Sequence, residues 1–178
     1  VADYKSYQMH LIYQKLHNFC VRDMGGFYLD VIKDCIYTCP TESLARRSAQ
    51  TALFHIAEAF SRWIAPILSF TADEIWGFLP GKRSSSVFVA ELYSLPKFSQ
   101  QPTITGADWE LILEAKEAVN KVLEEQRAQG TVKGSLEADV ALYAEAKLHN
   151  ALAKLEGELR FVTITSTASL APLDDSAG

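Results

Sequence analysis

The sequence lacks the features that mark several large classes of protein. Its apolar runs all fall short of the roughly 20 residues that a membrane-spanning helix requires. It has only three cysteines in 178 residues, an odd number without a disulfide-like pattern, which is typical of reduced thiols in a cytoplasmic protein. Neither of the glycine-rich sequences that cradle nucleotide phosphates, GxxxxGK(S/T) and GxGxxG, occurs. The sequence therefore predicts a cytoplasmic protein without a membrane segment or a nucleotide site.

Residues suited to metal binding or nucleophilic catalysis are present, but their spacing does not fit such sites. Cys35 and Cys39 are four residues apart, Cys20 lies far upstream, and the four histidines do not accompany them at the spacing of metal ligands. No arrangement of serine, histidine and aspartate can be argued from the order of residues. We therefore predict no catalytic residue, no metal site and no cofactor in this chain, and ordinary buried thiols instead.

Charge is distributed unevenly along the chain. The net charge is −5, which argues against a generally basic nucleic-acid-binding protein. Residues 1–100 contain ten lysines and arginines and nine acidic residues, whereas residues 101–178 contain seven and thirteen. Any surface for nucleic acid should therefore be a local basic patch in the first hundred residues.

Hydrophobic periodicity predicts helices in the first half of the chain, at residues 4–23, 27–37 and 42–68. Gly25-Gly26 is expected to end the first of these helices, and Pro66 to kink or end the third. Thr41 is the expected N-cap of the third helix. A capping box with its hydrophobic staple is predicted at 70–75, around Thr71 and Glu74.

The second half predicts mixed structure after a long connection over residues 81–107, in which 87–89 is strand-like. Thr105 is another candidate cap, for a helix that ends near Gln129 and turns Ile112, Ala115, Val119 and Val122 inward. Strands are predicted at 136–142 and 161–165, around a helix at 148–159. The fold class is mainly α: a helical bundle with its connecting loop (1–100), a small α+β subdomain (101–166) and a disordered tail (167–178).

Several ordered sequences carry a family resemblance. They are Gly26-Phe27-Tyr28-Leu29-Asp30, Ile32-Lys33-Asp34 with Tyr37, Arg46-Arg47-Ser48-Ala49-Gln50-Thr51, Ala65-Pro66 through Ile75-Trp76, Val119-Asn120-Lys121 with Glu124, Gly134-Ser135-Leu136-Glu137-Ala138 and Glu158-Leu159-Arg160-Phe161. In this order and spacing, over residues 1 to about 166, the chain resembles the anticodon-binding region of bacterial-type isoleucyl-tRNA synthetases. The 65–76 sequence is shared with valyl and leucyl relatives, so the same region of those enzymes is an alternative. A non-enzymatic helical interaction domain is another.

The resemblance implies a parent enzyme that attaches isoleucine to its tRNA with ATP and Mg, and that carries a structural zinc module. The HIGH and KMSKS motifs of its catalytic domain do not occur here, and the chain begins with Val1 rather than with methionine. We therefore expect an excised, inactive, monomeric fragment, whose partners are the anticodon stem-loop of tRNA(Ile) and the remaining domains of the synthetase. Cys35 stands where the family usually has arginine.

Four residues are predicted to contact tRNA: Lys33, Tyr37, Arg46 and Arg47. Lysine and arginine hold phosphates, while an aromatic ring stacks on an unpaired base. The alternatives are that Arg46 pairs with Glu42 one turn earlier and that Tyr37 is a half-buried core residue. We predict Tyr28, Trp63 and Trp76 to be core residues. Lys82 and Arg83 are either phosphate contacts or surface charges.

Overall fold

The computed structural model describes residues 2–97 and 102–173. Internal contacts divide the chain into two units, Val1–Lys97 and Phe98–Gly178. The first unit is built from helices, and the second combines helices with a parallel sheet of two strands. This confirms the predicted fold class. Within the described ranges, no helix is both long and apolar enough to span a membrane.

The first unit begins with a helical run that the paired glycines do not end, so that prediction is wrong. Helix α1 (Ala2–Lys5) is followed by α2 (Met9–Asn18), which continues through a π-helical segment (Phe19–Tyr28) into α3 (Leu29–Thr38). In a π-helix the amide bonds to the carbonyl five residues back, and a Cβ at Gly25 would lie 3.2 Å from the carbonyl oxygen of Cys20. The glycines therefore suit the close backbone approach of this segment.

Helix α4 (Leu44–Ile64) begins two residues later than predicted. Its N-cap is Ser43, not Thr41, because the Ser43 hydroxyl accepts a hydrogen bond from the Arg46 amide at 3.3 Å. The helix ends just before Pro66, as the sequence predicted, since proline cannot supply the next amide donor.

Helix α5 (Ser69–Phe78) begins before the predicted capping box. Thr71 lies inside its first turn, so the box assigned to Thr71 and Glu74 is wrong. The helix starts early because the turn after α4 already supplies acceptors: the Ala72 amide donates to the Leu68 carbonyl at 2.9 Å, and the Ser69 hydroxyl donates to the Ala65 carbonyl at 3.0 Å.

The predicted strand-like run after α5 is a short 3-10 helix, Val87–Val89, packed back onto α5. The Asp73 carboxylate accepts hydrogen bonds from the Ser86 hydroxyl at 2.7 Å and from the Val87 amide at 2.9 Å. These bonds place the Val87 side chain in the core of the unit. The buried members of that core are Ile64, Ala65, Ala72, Trp76 and Val87.

The second unit opens with α6 (Gly106–Ala128), which begins with a capping box. The Thr105 hydroxyl accepts from the Asp108 amide, and the Asp108 carboxylate accepts from the Thr105 amide at 2.7 Å. Ile112, Ala115 and Val119 are buried as predicted, but Val122 is exposed and Leu123 takes the inward position. After a 3-10 helix (Ser135–Glu137) comes β1 (Asp139–Ala144).

The rest of the second unit matches the prediction only in part: a helix overlaps the predicted range 148–159, but the second strand lies elsewhere. Helix α7 (Ala146–Ala153), a 3-10 helix (Glu156–Glu158) and α8 (Leu159–Thr163) precede β2 (Thr167–Pro172), which pairs in parallel with β1 from Asp139↔Thr167 to Ala144↔Pro172. The strand predicted at 161–165 is wrong, since Leu159, Val162 and Thr163 bury one face of a helix. The disordered tail predicted for 167–178 is wrong over β2, and 174–178 lie outside the described residues.

Asp108 makes the stability of the second unit dependent on pH. The Lys154 ammonium, then the hydroxyl and amide of Thr105, hold the pKa of Asp108 at about 2. Because this value lies below the ordinary one near 3.9, the carboxylate stabilises the fold above about pH 4 and loses that effect as the pH falls through about 2. We expect Asp108→Asn to unfold at a lower temperature than the wild type at pH 7, with a difference that shrinks between about pH 4 and pH 2.

Thermal unfolding followed across that pH range measures the effect. Glu110→Gln, at an exposed position on the same helix, is the matched control and should follow the wild type at every pH. An Asp108→Asn deficit that persists unchanged at pH 2 would contradict the assignment.

Candidate nucleic-acid interface

Of the four predicted tRNA-binding residues, Tyr37, Arg46 and Arg47 lie where α3 turns into α4, and Lys33 lies one turn earlier on α3. Lys33 and Tyr37 are one turn apart on α3, and Arg46 and Arg47 are in the first turn of α4. The two helices pack against each other, and residues 39–43 connect them. An Arg46 guanidinium nitrogen (Nη1) donates to the Cys39 carbonyl at 3.0 Å, which ties the start of α4 to the end of α3. We call these four residues and their connection the α3–α4 corner.

Tyr37 is a surface residue. Its side chain is 79% exposed, so the alternative that it belongs to the core is wrong. It sits in the last turn of α3, followed by Cys39 in an extended conformation. An exposed phenol ring at a helix end contributes little to folding, but it offers a flat apolar face to an unpaired base.

Lys33 carries its charge at the same exposed surface. Its ammonium lies 3.5 Å from a carboxylate oxygen of Asp30 on the preceding turn, and both side chains are exposed. Such surface pairs contribute between about 0 and 1 kcal/mol because water screens them. A phosphate could therefore compete with Asp30 for the ammonium at low cost.

The two arginines play different parts. The pairing of Arg46 with Glu42 is wrong: Arg46 instead spans the connection to Cys39, and its Nε is buried without a partner among the described residues. Glu42 lies 3.9 Å from Arg47, in a weak and exposed pair. Arg46 thus fixes the connection between α3 and α4, while Arg47 is an exposed cation that can bind a phosphate.

The charges in the first turn of α4 favour an anion. The first turn of α4 contains no acidic residue, and a helix N-terminus carries a partial positive charge from its free amides. Placing Arg46 and Arg47 there opposes the helix dipole, at a cost of about 0.3–1 kcal/mol for an exposed cation. A bound phosphate would relieve that repulsion and accept hydrogen bonds from the same turn.

The sequence left Arg83 as either a phosphate contact or a surface charge, but its side chain is largely buried in an ion pair. The two carboxylate oxygens of Glu58 form ion pairs with Nη1 of Arg62 at 2.6 Å and with Nη1 of Arg83 at 2.9 Å. The Glu58 side chain is only 7% exposed. Both guanidinium groups also lie over the Trp76 ring. The sequence analysis did not predict this cluster; the i, i+4 spacing of Glu58 and Arg62 is a signal for that pair, but no sequence pattern points to Arg83. We call Glu58, Arg62 and Arg83 the buried ion cluster. Because Arg83 is paired with Glu58 in this cluster, it is no longer a candidate phosphate ligand.

The remaining sequence candidates divide between core and surface. Trp76 is buried, whereas Tyr28 and Trp63 are only half-buried, and Lys82 is exposed.

Cys35 is half-buried, and it adds to the effect of burial in raising the pKa of Tyr28. The three cysteines, all of them among the described residues, form no disulfide bond. In the parts of the chain that the structure covers, no three His, Cys, Asp or Glu side chains come together as a metal site.

Comparison with known proteins matches this helical region to a family. The family model described as the anticodon-binding domain of tRNA ligase matches residues 2–142. That range includes the whole α3–α4 corner.

Curated relatives extend the similarity over nearly the whole chain. The isoleucine–tRNA ligase of Teredinibacter turnerae is 55% identical over 176 residues, which are 99% of this chain and 19% of that protein. The corresponding ligase of Pseudomonas aeruginosa is 57% identical over 96% of this chain and 18% of its own length. That of Saccharophagus degradans is 52% identical over all of this chain and 19% of its own length. The chain thus spans less than a fifth of these relatives.

Proposed function

We propose that this chain, which belongs to the anticodon-binding domain family of tRNA ligases, holds the anticodon stem-loop of isoleucine-accepting tRNA. The observation that carries the proposal is the exposed Tyr37 ring in the last turn of α3, the helix that packs against α4 with its arginine-bearing first turn. Relatives that are 52–57% identical are named isoleucine–tRNA ligases, which favours isoleucine over valine or leucine as the amino acid of the parent enzyme. The family match likewise disfavours a helical domain that binds only protein.

The chemistry of the corner suits an anticodon loop. Anticodon bases are unpaired and can turn outward, so an exposed ring can stack on one of them. Lys33 and Arg47 then serve as phosphate ligands, and the amides at the start of α4 add further donors. Arg46 acts as a positioning residue through its bond to the Cys39 carbonyl.

The proposal extends to the ligase of which this chain is a part. That ligase would activate isoleucine with ATP and Mg and carry a structural zinc module, all outside this region. The chain alone would need no cofactor and would neither bind ATP nor transfer isoleucine, because the HIGH and KMSKS motifs are missing from its sequence. We propose that the ligase acts in the cytoplasm and that this chain is a monomer.

Replacing Tyr37 tests the corner directly. We expect Tyr37→Ala to weaken binding of the isoleucine-accepting tRNA by about 1–3 kcal/mol, since stacking on an aromatic ring contributes that much for each base. The free energy of unfolding should change by less than about 0.5 kcal/mol, as at other exposed positions. Binding titration and denaturant unfolding of the same variant separate the two effects.

Two variants serve as controls. Tyr37→Phe keeps the ring and removes the hydroxyl, so it should retain nearly all of the affinity. Tyr143→Ala removes an exposed tyrosine from β1 in the other unit and should bind as the wild type does. Normal binding by Tyr37→Ala would remove the stacking role from the proposal.

A further inference from the structure

Helix α5 presents two phenylalanines to solvent on the side opposite the core. Phe70 is 93% exposed and Phe78 is 84% exposed. With Glu74 between them they are spaced i, i+4 and i+8, which puts all three on one side of the helix. Ala72 and Trp76 are buried on the other side. We call Phe70, Glu74 and Phe78 the outer face of α5.

Folding of the first unit leaves the outer face uncovered. The neighbouring Thr71 and Gly77 are exposed too, and a Cβ added at Gly77 would meet no atom within 4 Å. A phenylalanine ring can bury about 150–250 Å² in a contact. Two such rings on one face therefore offer an apolar area of the size that marks interaction sites.

The charges on α5 disfavour nucleic acid as the occupant. Asp73 and Glu74 are the only charged residues between Ser69 and Phe78, and both are acidic. The Asp73 carboxylate is already engaged by Ser86 and Val87, so Glu74 alone faces outward. A polyanion approaching this face would find no lysine or arginine on α5 to neutralise a phosphate.

The position of Glu74 also disfavours a second copy of the chain. In a symmetric dimer each patch meets itself, so the residue at the centre of the face lies opposite its own equivalent. Pairing the outer faces would bring two Glu74 carboxylates together in an apolar contact, where like charges repel strongly.

We infer that the outer face of α5 docks against another part of the same ligase polypeptide, on an apolar surface that presents a lysine or arginine to Glu74. The chain spans only 18–19% of the length of its relatives, so most of the ligase is available as that surface. The inference rests on the proposed function only in placing the chain within a longer ligase. Its test does not depend on tRNA binding.

Hydroxyl-radical footprinting of the aromatic side chains provides the test. Oxidation of Phe70 and Phe78 is compared between the 178-residue chain and the full-length ligase that contains it, without RNA. We expect both rings to oxidise about tenfold more slowly in the ligase, since residues at the centre of an interface lose nearly all contact with water. Tyr37 is the internal reference: it should oxidise equally in both proteins and become protected only when tRNA is added.

A charge reversal makes the test specific. Glu74→Lys should restore oxidation of both rings in the full-length ligase and leave the 178-residue chain unchanged, whereas Glu74→Gln should keep most of the protection. Equal oxidation of Phe70 and Phe78 in the two proteins would overturn the inference. Protection that requires tRNA would also overturn it, and so would protection of the 178-residue chain that grows with its concentration. Failure of the proposed function would appear separately, as Tyr37 unprotected by tRNA.

Discussion

Replacing Trp76 by alanine is expected to lower the free energy of unfolding of the first unit by about 3–5 kcal/mol, the usual range for truncating a large buried aromatic residue. Trp76 is only 3% exposed and belongs to the central apolar cluster of the unit. Its indole N–H donates to the Ser84 carbonyl at 2.9 Å, and Arg62 and Arg83 lie 4.4 and 4.6 Å from the ring centroid. Alanine would lose the packing, the hydrogen bond and both cation–π contacts.

Phe78→Ala is the matched control for Trp76, since it removes another large aromatic ring from the same helix. Phe78 is almost fully exposed, so its removal should change the free energy of unfolding by less than about 0.5 kcal/mol. Denaturant unfolding followed by circular dichroism measures both variants. Equal effects of the two substitutions would show that the core does not lie where the structure puts it.

Glu58→Ala should destabilise the same unit by about 3–5 kcal/mol, because it leaves two buried guanidinium groups without their counter-charge. Arg62 and Arg83 have side chains only 14% exposed, and the Nε of each already lacks a partner among the described residues. Burial would raise the pKa of Glu58, but its hydrogen bonds and charge interactions with Arg62 and Arg83 outweigh that effect and lower it. The carboxylate therefore stabilises the fold at neutral pH, and this stabilisation is lost as acid protonates it.

A surface pair of similar geometry provides the comparison for Glu58. Glu124 and Arg127 lie 2.7 Å apart on α6, but both are largely exposed. Glu124→Ala should therefore cost no more than about 1 kcal/mol. If denaturant unfolding gave the two glutamate variants the same stability, burial would not be what makes the Glu58 cluster important.

The sequence predicted the helices better than the points where they begin and end. Periodic apolar residues identified α4 and α6. The end of α4 before Pro66 was predictable as well, because proline has no amide N–H to continue the helix. The ends depended on longer contacts. Gly25-Gly26 did not end the helical run because a π-helical segment tolerates glycine, and Thr71 did not cap α5 because the turn after α4 had already supplied acceptors. In both places the helix boundary depends on backbone hydrogen bonds that the pattern of apolar residues does not reveal.

The positions of the four candidate residues along the helices followed from the sequence, but their contacts did not. The spacing of Lys33 and Tyr37 on α3, and the position of Arg46 and Arg47 after the turn, placed all four near one corner. Sequence could not decide whether Tyr37 was exposed, because that depends on which side of α3 packs against its neighbours. Nor could it show Arg83 meeting Glu58, 25 residues away in the chain.

Titration of tRNA binding is the most direct test of the central claim, that this chain holds the anticodon end of isoleucine-accepting tRNA. The 178-residue chain is titrated in a filter-binding assay with that tRNA and with a tRNA of a different anticodon, each at two salt concentrations. We predict tighter binding of the isoleucine-accepting tRNA. With two phosphate contacts, at Lys33 and Arg47, and a slope near −0.7 for each, doubling the salt should weaken that binding roughly two- to threefold. Equal affinity for the two tRNAs, or an affinity that salt does not change, would contradict the assignment of the α3–α4 corner.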